Sequence, residues 1–474
     1  MIEQEIKESQ NLPRSQRRKK ERKLQKKYKD KTIRIKYGKT FKKSEGLSRK
    51  QKREIMKDKD FLKELLKIIK KYFPQLTSMF SSLTDKRHKS YITYKMRTII
   101  MTRLLALLCG ITTMTEINNE FDSEQAIANL SKICNQDLKE IPDWQTIQDI
   151  IEQLDYNEID NIRKYMFKAL IRSKMFDKFR YDGYIQLIVD ATGLTALDYN
   201  LNGNCLTRTR DGKIKYYKYV LEAKVVFFNM VISIDYEWIE NTNSNTEKEK
   251  QDCEVKAFKR MAPRIKSNYP KLKFIITGDA LYATNPMMDI CDNYNWKYIF
   301  NLKPDRLKEV ASQFEGNIKL ENETILSNYY LSTNIYHKKH CLNAIKYEEL
   351  QNNKLVSFRY VTNLNINNDN IKDIVSMGRR RWKIENEGFN EQKNGTFNIS
   401  HLCSRFDNAL KIHYLFIQIA HTIRQLLELG SLVYKEVKKF VTKKEISQKL
   451  INTLISSSIT NLELETNFQL RFDD

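Results

Sequence analysis

The sequence contains little glycine or proline, no closely spaced cysteines and no long apolar run. Thirteen Gly and seven Pro among 474 residues exclude collagen-like and Pro/Gly-rich low-complexity chains. The seven Cys include no CxxC pair, so neither a zinc ribbon nor a redox pair is indicated, and reduced thiols are expected. No apolar signal-peptide core begins the sequence, and apolar stretches such as 98–109 are shorter than a membrane span. These absences predict a cytoplasmic protein without a membrane partner.

Positive charge is what the sequence has in excess. Lys and Arg number 83 against 59 Asp and Glu, a net charge of +24. Such an excess points to a polyanionic partner, either nucleic acid or an anionic membrane surface. A membrane surface would require a basic amphipathic helix, and residues 14–29 show no apolar face. Nucleic acid is therefore the favoured partner.

The positive charge is concentrated near the N-terminus. Residues 11–53 carry 20 Lys or Arg against three acids. We expect residues 1–60 to form a basic, disordered DNA-binding arm that contacts phosphates without reading sequence. The contacts are expected from four consecutive cations: Arg17, Arg18, Lys19 and Lys20. A solubilising tail is the alternative, and composition does not separate the two.

Hydrophobic periodicity predicts a helical region after the arm. Ile147, Ile150 and Ile151 recur on one helical face, and Asp143 is placed to cap that helix. Several short helices of this kind could form a helix-turn-helix that reads DNA ends or a plain packing domain, and both interpretations stay open. The length predicts two or three domains.

Strands alternating with helices follow, which predicts an α/β fold. The stretch 216–239 reads as two adjacent strands, whereas 306–363 reads as strands without a convincing helix. The predicted segments are a helical domain at 61–178, a first core part at 179–305, a β-rich insertion at 306–355, a second core part with a helix near 370–394 at 356–430, and a helical tail at 431–474.

Three acids stand out by position. Asp190 and Asp279 each end an apolar strand, where ligand crevices form in open α/β sheets. Glu385 lies one helical turn after Arg381. If the three carboxylates converge, they would bind Mg²⁺ or Mn²⁺, and two such ions could support an in-line phosphoryl displacement. The ordinary alternatives are turn formers or helix caps for the aspartates and a surface ion pair for the glutamate.

The segments around these acids resemble a known family. LIVDATGL with Asp190, ITGDALYAT with Asp279 and GRRRWKIENEGFNEQKN with Glu385 are similar to the three motifs of bacterial insertion-sequence transposases of the DDE class. The resemblance covers about 185–395 and is strongest to the type-four group, in which a β-strand insertion precedes the Glu.

The resemblance implies a ribonuclease H-like catalytic core interrupted by the β-rich insertion and flanked by helical regions. It also implies that Asp190, Asp279 and Glu385 are catalytic and hold two Mg²⁺ ions, for which Mn²⁺ may substitute. The expected reaction is cleavage of transposon ends and strand transfer into target DNA by a dimer on DNA, with no small-molecule substrate. The rival functions are a catalytically inactive DNA-binding derivative and a ribonuclease H-like nuclease without strand transfer.

The last motif departs from the usual pattern of Tyr, two residues, Arg, three residues, Glu, six residues, Lys. Gly378 stands at the Tyr position and Gln392 at the Lys position, with Lys393 one place later. On a regular helix Lys393 lies roughly 80° around from Glu385, against about 20° for Gln392.

Further side chains in this motif are expected to contact DNA or to pack. The expected DNA contacts are Arg379, Arg380, Arg381 and Lys393. Trp382 is expected to pack in the core, and neither Glu254 nor Cys253 receives a chemical role from the sequence.

Overall fold

The computed structural model describes residues 60–241, 252–317, 319–324, 327–351, 354–433, 442–459 and 466–472. All of them belong to one compact unit. The predicted DNA-binding arm, with Arg17, Arg18, Lys19 and Lys20, lies outside the described residues apart from Asp60.

The N-terminal part of the described chain is helical, as predicted. Asp143 caps its helix by accepting a hydrogen bond from the Gln145 N–H at 2.8 Å, and the apolar face that begins at Ile147 is buried. Both local predictions are therefore confirmed. The helices are Phe61–Tyr72 (α1), Leu76–Ser81 (α2), Met96–Leu108 (α3), Thr115–Phe121 (α4), Glu124–Cys134 (α5), Trp144–Gln153 (α6) and Tyr156–Arg172 (α7), with 3₁₀ turns at Lys89–Tyr91 and Asp177–Phe179.

A ten-stranded mixed sheet follows, in the order β2-β3-β1-β5-β6-β10-β9-β8-β7, with β4 paired to β3. The strands are Tyr184–Leu197 (β1), Leu206–Arg210 (β2), Lys213–Phe227 (β3), Met230–Ile239 (β4), Lys273–Gly278 (β5), Lys297–Asn301 (β6), Lys319–Thr324 (β7), Ser327–His337 (β8), His340–Gln351 (β9) and Lys354–Thr362 (β10). Among the strands of the described residues, β1–β5 and β5–β6 pair in parallel and the other pairs are antiparallel. The two strands predicted over 216–239 are β3 and β4, which pair antiparallel. The predicted α/β class is confirmed.

The remaining helices lie between and after the strands. They are Glu254–Asn268 (α8), Asn285–Asn293 (α9), Lys308–Asn317 (α10), Ile371–Arg380 (α11), Asn390–Asn394 (α12), Asp407–Leu429 (α13) and Lys443–Ser456 (α14), with a 3₁₀ turn at Leu201–Gly203 and a π-helical turn at Ile384–Phe389. In α13, 19 of the 23 residues are buried, so this helix packs within the core.

The insertion differs from its prediction in two respects. It contains the helix α10, whose Val310 and Phe314 are fully buried, so the expectation of strands without a helix was wrong. The helix is short and mostly polar, which hides it from a periodicity test. Its strands also continue the core sheet, because β10 pairs with β6 on one side and with β9 on the other.

One apolar cluster joins the helices of both chain ends to the sheet. It runs from Phe61 through the strands to Phe472. The predicted boundary at 178 therefore marks a change from helices to strands within a continuous core. Among the residues described, no helix is long and apolar enough to cross a membrane.

Candidate active site

Asp190 and Asp279 lie side by side on neighbouring parallel strands. The last residue pair between β1 and β5 is Ile188 with Thr277, and each aspartate lies two residues beyond it. Asp279 directly follows β5, as predicted. Asp190 does not end its strand, because β1 continues to Leu197 against β3. The parallel pairing of β1 with β5 ends two residues before Asp190, so both aspartates follow the end of a parallel pair, where ligand crevices form in open α/β sheets.

Glu254, the first residue of α8, joins these two aspartates. The Tyr282 hydroxyl donates to Glu254 Oε2 at 2.6 Å, and Tyr282 is fully buried. Burial raises the pKa of Glu254, and Asp279 raises it further. No role for Glu254 could be predicted from the sequence, because its approach to the aspartates depends on how α8 packs against the sheet.

The three acids form a crowded negative site around Asp190. The pKa of Asp190 is raised to about 7, chiefly by burial and also by Glu254 and Asp279, whereas Arg381 acts in the opposite direction. Carboxylates that crowd together disfavour one another's ionised forms. Positive charge beside Asp190 therefore favours its ionised form.

Arg381 supplies positive charge at this point. Its Nη1 lies 3.2 Å from Asp190 Oδ2, and its guanidinium stacks on Trp382 with 4.9 Å between the guanidinium carbon and the ring centroid. Arg381 was predicted to clamp DNA, but here it is buried against a carboxylate.

Trp382 was predicted to be core and is 53% exposed, so that prediction was wrong. The Arg381 N–H donates to Gly378 O and the Ile384 N–H to Arg381 O. These i→i+3 bonds break the regular helix, and the face assigned by α-helical spacing does not continue past Arg381.

Arg379 and Arg380 flank a cleft between the insertion and the helical segment. The cleft has a volume of about 480 Å³ and includes Tyr329 and Trp382 in its lining. Arg379 bonds Glu349 at 2.8 Å and stacks on insertion aromatics, whereas Arg380 is exposed. Of the two arginines, Arg380 is the one presented to solvent.

The position that holds Tyr in the usual motif is filled from another strand. A Cβ at Gly378 would lie 2.6 Å from the ring of Tyr360, a residue of β10 that is almost fully buried. A side chain at position 378 would displace that ring. Glycine at position 378 therefore leaves the space that the Tyr360 ring occupies.

Lys393 lies near enough to Glu385 for the two charges to interact, although the helical wheel had placed Gln392 closer. Glu385 is exposed and Lys393 is half-buried. Burial lowers the pKa of Lys393, and the nearby Glu385 acts to raise it. Gln392, which the wheel placed beside Glu385, is only 1% exposed. The wheel failed because the turn Ile384–Phe389 is π-helical.

The chemistry of the donors at Asp190, but not their spacing in this structure, suits a hard divalent cation. Asp190, Asp279 and Glu254 offer carboxylate oxygens, the ligands that Mg²⁺ and Mn²⁺ prefer, and their crowding calls for positive charge. Within the described ranges, no three His, Cys, Asp or Glu side chains are grouped closely enough to hold a metal ion. The convergence of Glu385 with Asp190 and Asp279 stays a prediction.

Comparison with protein families identifies the chain. The family model described as "Transposase DDE domain" matches residues 181–423, just over half of the chain. A second model, described as "DDE_Tnp_1-associated", matches residues 77–166, within the N-terminal helical region. No curated protein matches the sequence. The DDE domain has a ribonuclease H-like fold, acts on DNA and generally uses divalent metal ions. The chain therefore belongs to the DDE transposases, enzymes that transfer polynucleotide strands.

Proposed function

We propose that Asp190, Asp279 and Glu385 are the catalytic acids of this transposase and hold two Mg²⁺ ions, for which Mn²⁺ can substitute. The observation that carries the proposal is the pair formed by Asp190 and Asp279 just beyond the last β1–β5 residue pair, in a chain of the DDE family. Glu385 lies on the helical segment whose Arg381 contacts Asp190. The β-strand insertion before Glu385 supports an organisation like that of the type-four group.

When bound, the metal ions would activate a water or a 3′-hydroxyl and stabilise the leaving oxygen of the phosphodiester. The protein's own groups hold and balance this charge. Asp190 and Asp279 present ligand oxygens from the rigid sheet, and Glu254, fixed by Tyr282, adds negative charge beside them. Arg381 balances part of that charge through its contact with Asp190.

The DNA would lie along the cleft beside Arg379 and Arg380. Cations beside aromatic side chains suit a phosphodiester backbone and unstacked bases. The predicted arm, including Arg17 and Lys20, would add contacts that do not depend on sequence. We further propose a dimer on DNA, because two transposon ends must be brought together.

The decisive experiment uses the purified protein and DNA that flanks its own gene. Incubation with Mg²⁺ should produce nicks at defined positions, and EDTA should abolish them. A joining assay with a pre-cut end then separates strand transfer from simple nuclease activity. Binding without nicking would identify an inactive derivative, and nicking without joining would identify a nuclease.

The arm has its own test on the same DNA. Deletion of residues 1–53 should make the slope of log affinity against log salt shallower, by roughly 0.9 for each lost phosphate contact on duplex DNA. The melting temperature of the remaining chain should be unchanged. An unchanged salt slope would show that the arm is only a solubilising tail.

A further inference from the structure

The turn that carries Glu385 contains one residue more than an α-helical turn. The Asn390 N–H donates to the Glu385 carbonyl, an i→i+5 bond, where an α-helix would use i→i+4. One additional residue shifts the helical phase by about 100°. Lys393 therefore returns to about 20° from Glu385, where a regular helix would have placed Gln392. This accounts for the half-buried Lys393 beside Glu385.

A network of buried hydrogen bonds holds the π-helical turn in place. The His421 ring donates to the Glu387 backbone carbonyl inside the π-helical turn. The other ring nitrogen, Nδ1, lies 3.0 Å from Gln392 Nε2 and accepts its hydrogen bond. Burial lowers the pKa of His421 well below its usual range, so the ring is neutral and can donate at one nitrogen while it accepts at the other.

The hydrogen-bond network continues to the sheet. Gln392 and Gln418 exchange two side-chain hydrogen bonds, at 2.8 and 3.3 Å. Lys224 of β3 donates to Gln418 Oε1 at 2.6 Å. Each of these four side chains is at most 4% exposed. A buried polar network with its partners in place fixes one geometry, because breaking any bond leaves a buried polar group unpaired.

These contacts exclude Gln392 from the DNA-facing side. Its amide is committed to Gln418 and His421, and no exposed surface remains for a phosphate. Lys393 is the next residue, carries the positive charge and lies near Glu385. Gln392 therefore anchors the turn, and Lys393 supplies the positive charge.

We propose that the π-helical turn and its anchor of Gln392, Gln418 and His421 set the helical register that brings Lys393 beside Glu385. Lys393 then contacts a phosphate of the strand that is cut, and Gln392 and His421 are positioning residues. The role of Lys393 rests on the proposed catalytic role of Glu385. The register itself does not, and it can be tested without DNA.

The register is tested by thiol labelling of the intact protein with a maleimide mass tag. Lys393→Cys leaves Gln392 and its anchor in place and should label rapidly, compared with the wild type, whose exposed Cys253 and Cys341 give the background. Labelling after denaturation confirms that every thiol is reactive. Labelling at position 393 as slow as that of a buried thiol would overturn the register.

The role of Lys393 is tested by the rate of nicking in a single turnover. Lys393→Gln should slow nicking roughly ten- to a hundredfold, and Lys393→Arg should restore most of the rate. Lys444→Gln removes the same charge from an exposed site on α14 and should leave the rate unchanged. The exchange Gln392→Lys with Lys393→Gln should not restore activity, whereas a regular helix would predict that it does.

The outcomes separate the two proposals. Normal nicking by Lys393→Gln, or rescue by the exchanged pair, would overturn the role of Lys393 and leave the proposed function intact. Absence of nicking by the wild type would overturn the proposed function and the role of Lys393 with it. Thiol labelling would still decide the register in that case.

Discussion

The helical segment from 371 to 394 has two faces that differ in what they contribute. The inner face buries apolar side chains and the anchored amide of Gln392, and nearly all of it is hidden from solvent. The outer face presents Arg380, Trp382 and Glu385. The inner face fixes where the segment lies, and the outer face supplies the groups that can meet DNA and metal. The accuracy of the exposed site is thus determined by side chains that cannot touch the substrate.

The largest effect should come from the outer face. Glu385→Gln keeps the side-chain size but removes the charge that would hold a metal ion. We expect the single-turnover nicking rate to fall roughly 10³-fold. The free energy of unfolding should change by less than about 0.5 kcal/mol, because the side chain is exposed. Nicking of the mapped DNA end and chemical denaturation measure the two quantities.

The matched control for this change is Glu387→Gln. Glu387 lies two residues away and forms its own ion pair, with Lys383 Nζ at 3.6 Å. Most of the nicking activity should remain. An inactive Glu387→Gln beside an active Glu385→Gln would show that the third acid has been assigned to the wrong residue.

A change on the inner face should act on stability instead. Phe389 is 1% exposed and its ring centroid lies 5.9 Å from Lys224 Nζ. Phe389→Ala should lower the free energy of unfolding by about 3 kcal/mol, from lost burial and the cavity left behind. Trp382→Ala, on the exposed face, should cost less than about 1 kcal/mol. Urea denaturation measures both changes, and equal losses in the free energy of unfolding would show that the two faces do not differ in their contribution to stability.

Features that depend on local periodicity could be predicted from the sequence. The Asp143 cap, the Ile147 face and the strand pair β3–β4 need only neighbouring residues to form, and all three are present. The prediction that Asp190 and Asp279 lie at strand ends correctly placed them near each other, although β1 continues beyond Asp190.

Features that depend on distant contacts could not be predicted. The π-helical turn needs His421 and Gln392 to meet, and these residues are 29 positions apart. A wheel drawn on the segment alone therefore placed Lys393 and Trp382 on the wrong sides. Glu254 joins the aspartates only after α8 packs on the sheet. The site was thus predictable in its strand residues and not in the helical segment that lies over them.

The contribution of Glu254 should be smaller than that of Glu385. Glu254 lies beside Asp190 and Asp279 and is held by Tyr282, so it can orient or share a metal ion. Glu254→Gln should raise the Mn²⁺ concentration that gives the half-maximal nicking rate roughly ten- to a hundredfold. A metal titration of the nicking rate measures this, and metal-free DNA binding should be unchanged. If the concentration of Mn²⁺ that gives half-maximal rate does not move, Glu254 has no part in metal binding.

The smallest effect should separate two neighbouring arginines. Arg380 is exposed beside the cleft, whereas Arg379 donates to Glu349 at 2.8 Å and stacks on Phe358 at 4.9 Å. A cation already paired in this way releases few counterions from DNA, because its charge is balanced before binding. In EDTA, Arg380→Gln should reduce the slope of log affinity against log salt by about 0.9, the value for one phosphate contact on duplex DNA. Arg379→Gln should change the slope much less, and it should instead lower thermal stability through the lost contacts with the insertion.

Fluorescence anisotropy over a salt series gives both slopes on the same DNA. Equal slopes for the two variants would mean that Arg379 leaves Glu349 when DNA binds, and the outer face would then extend onto the insertion.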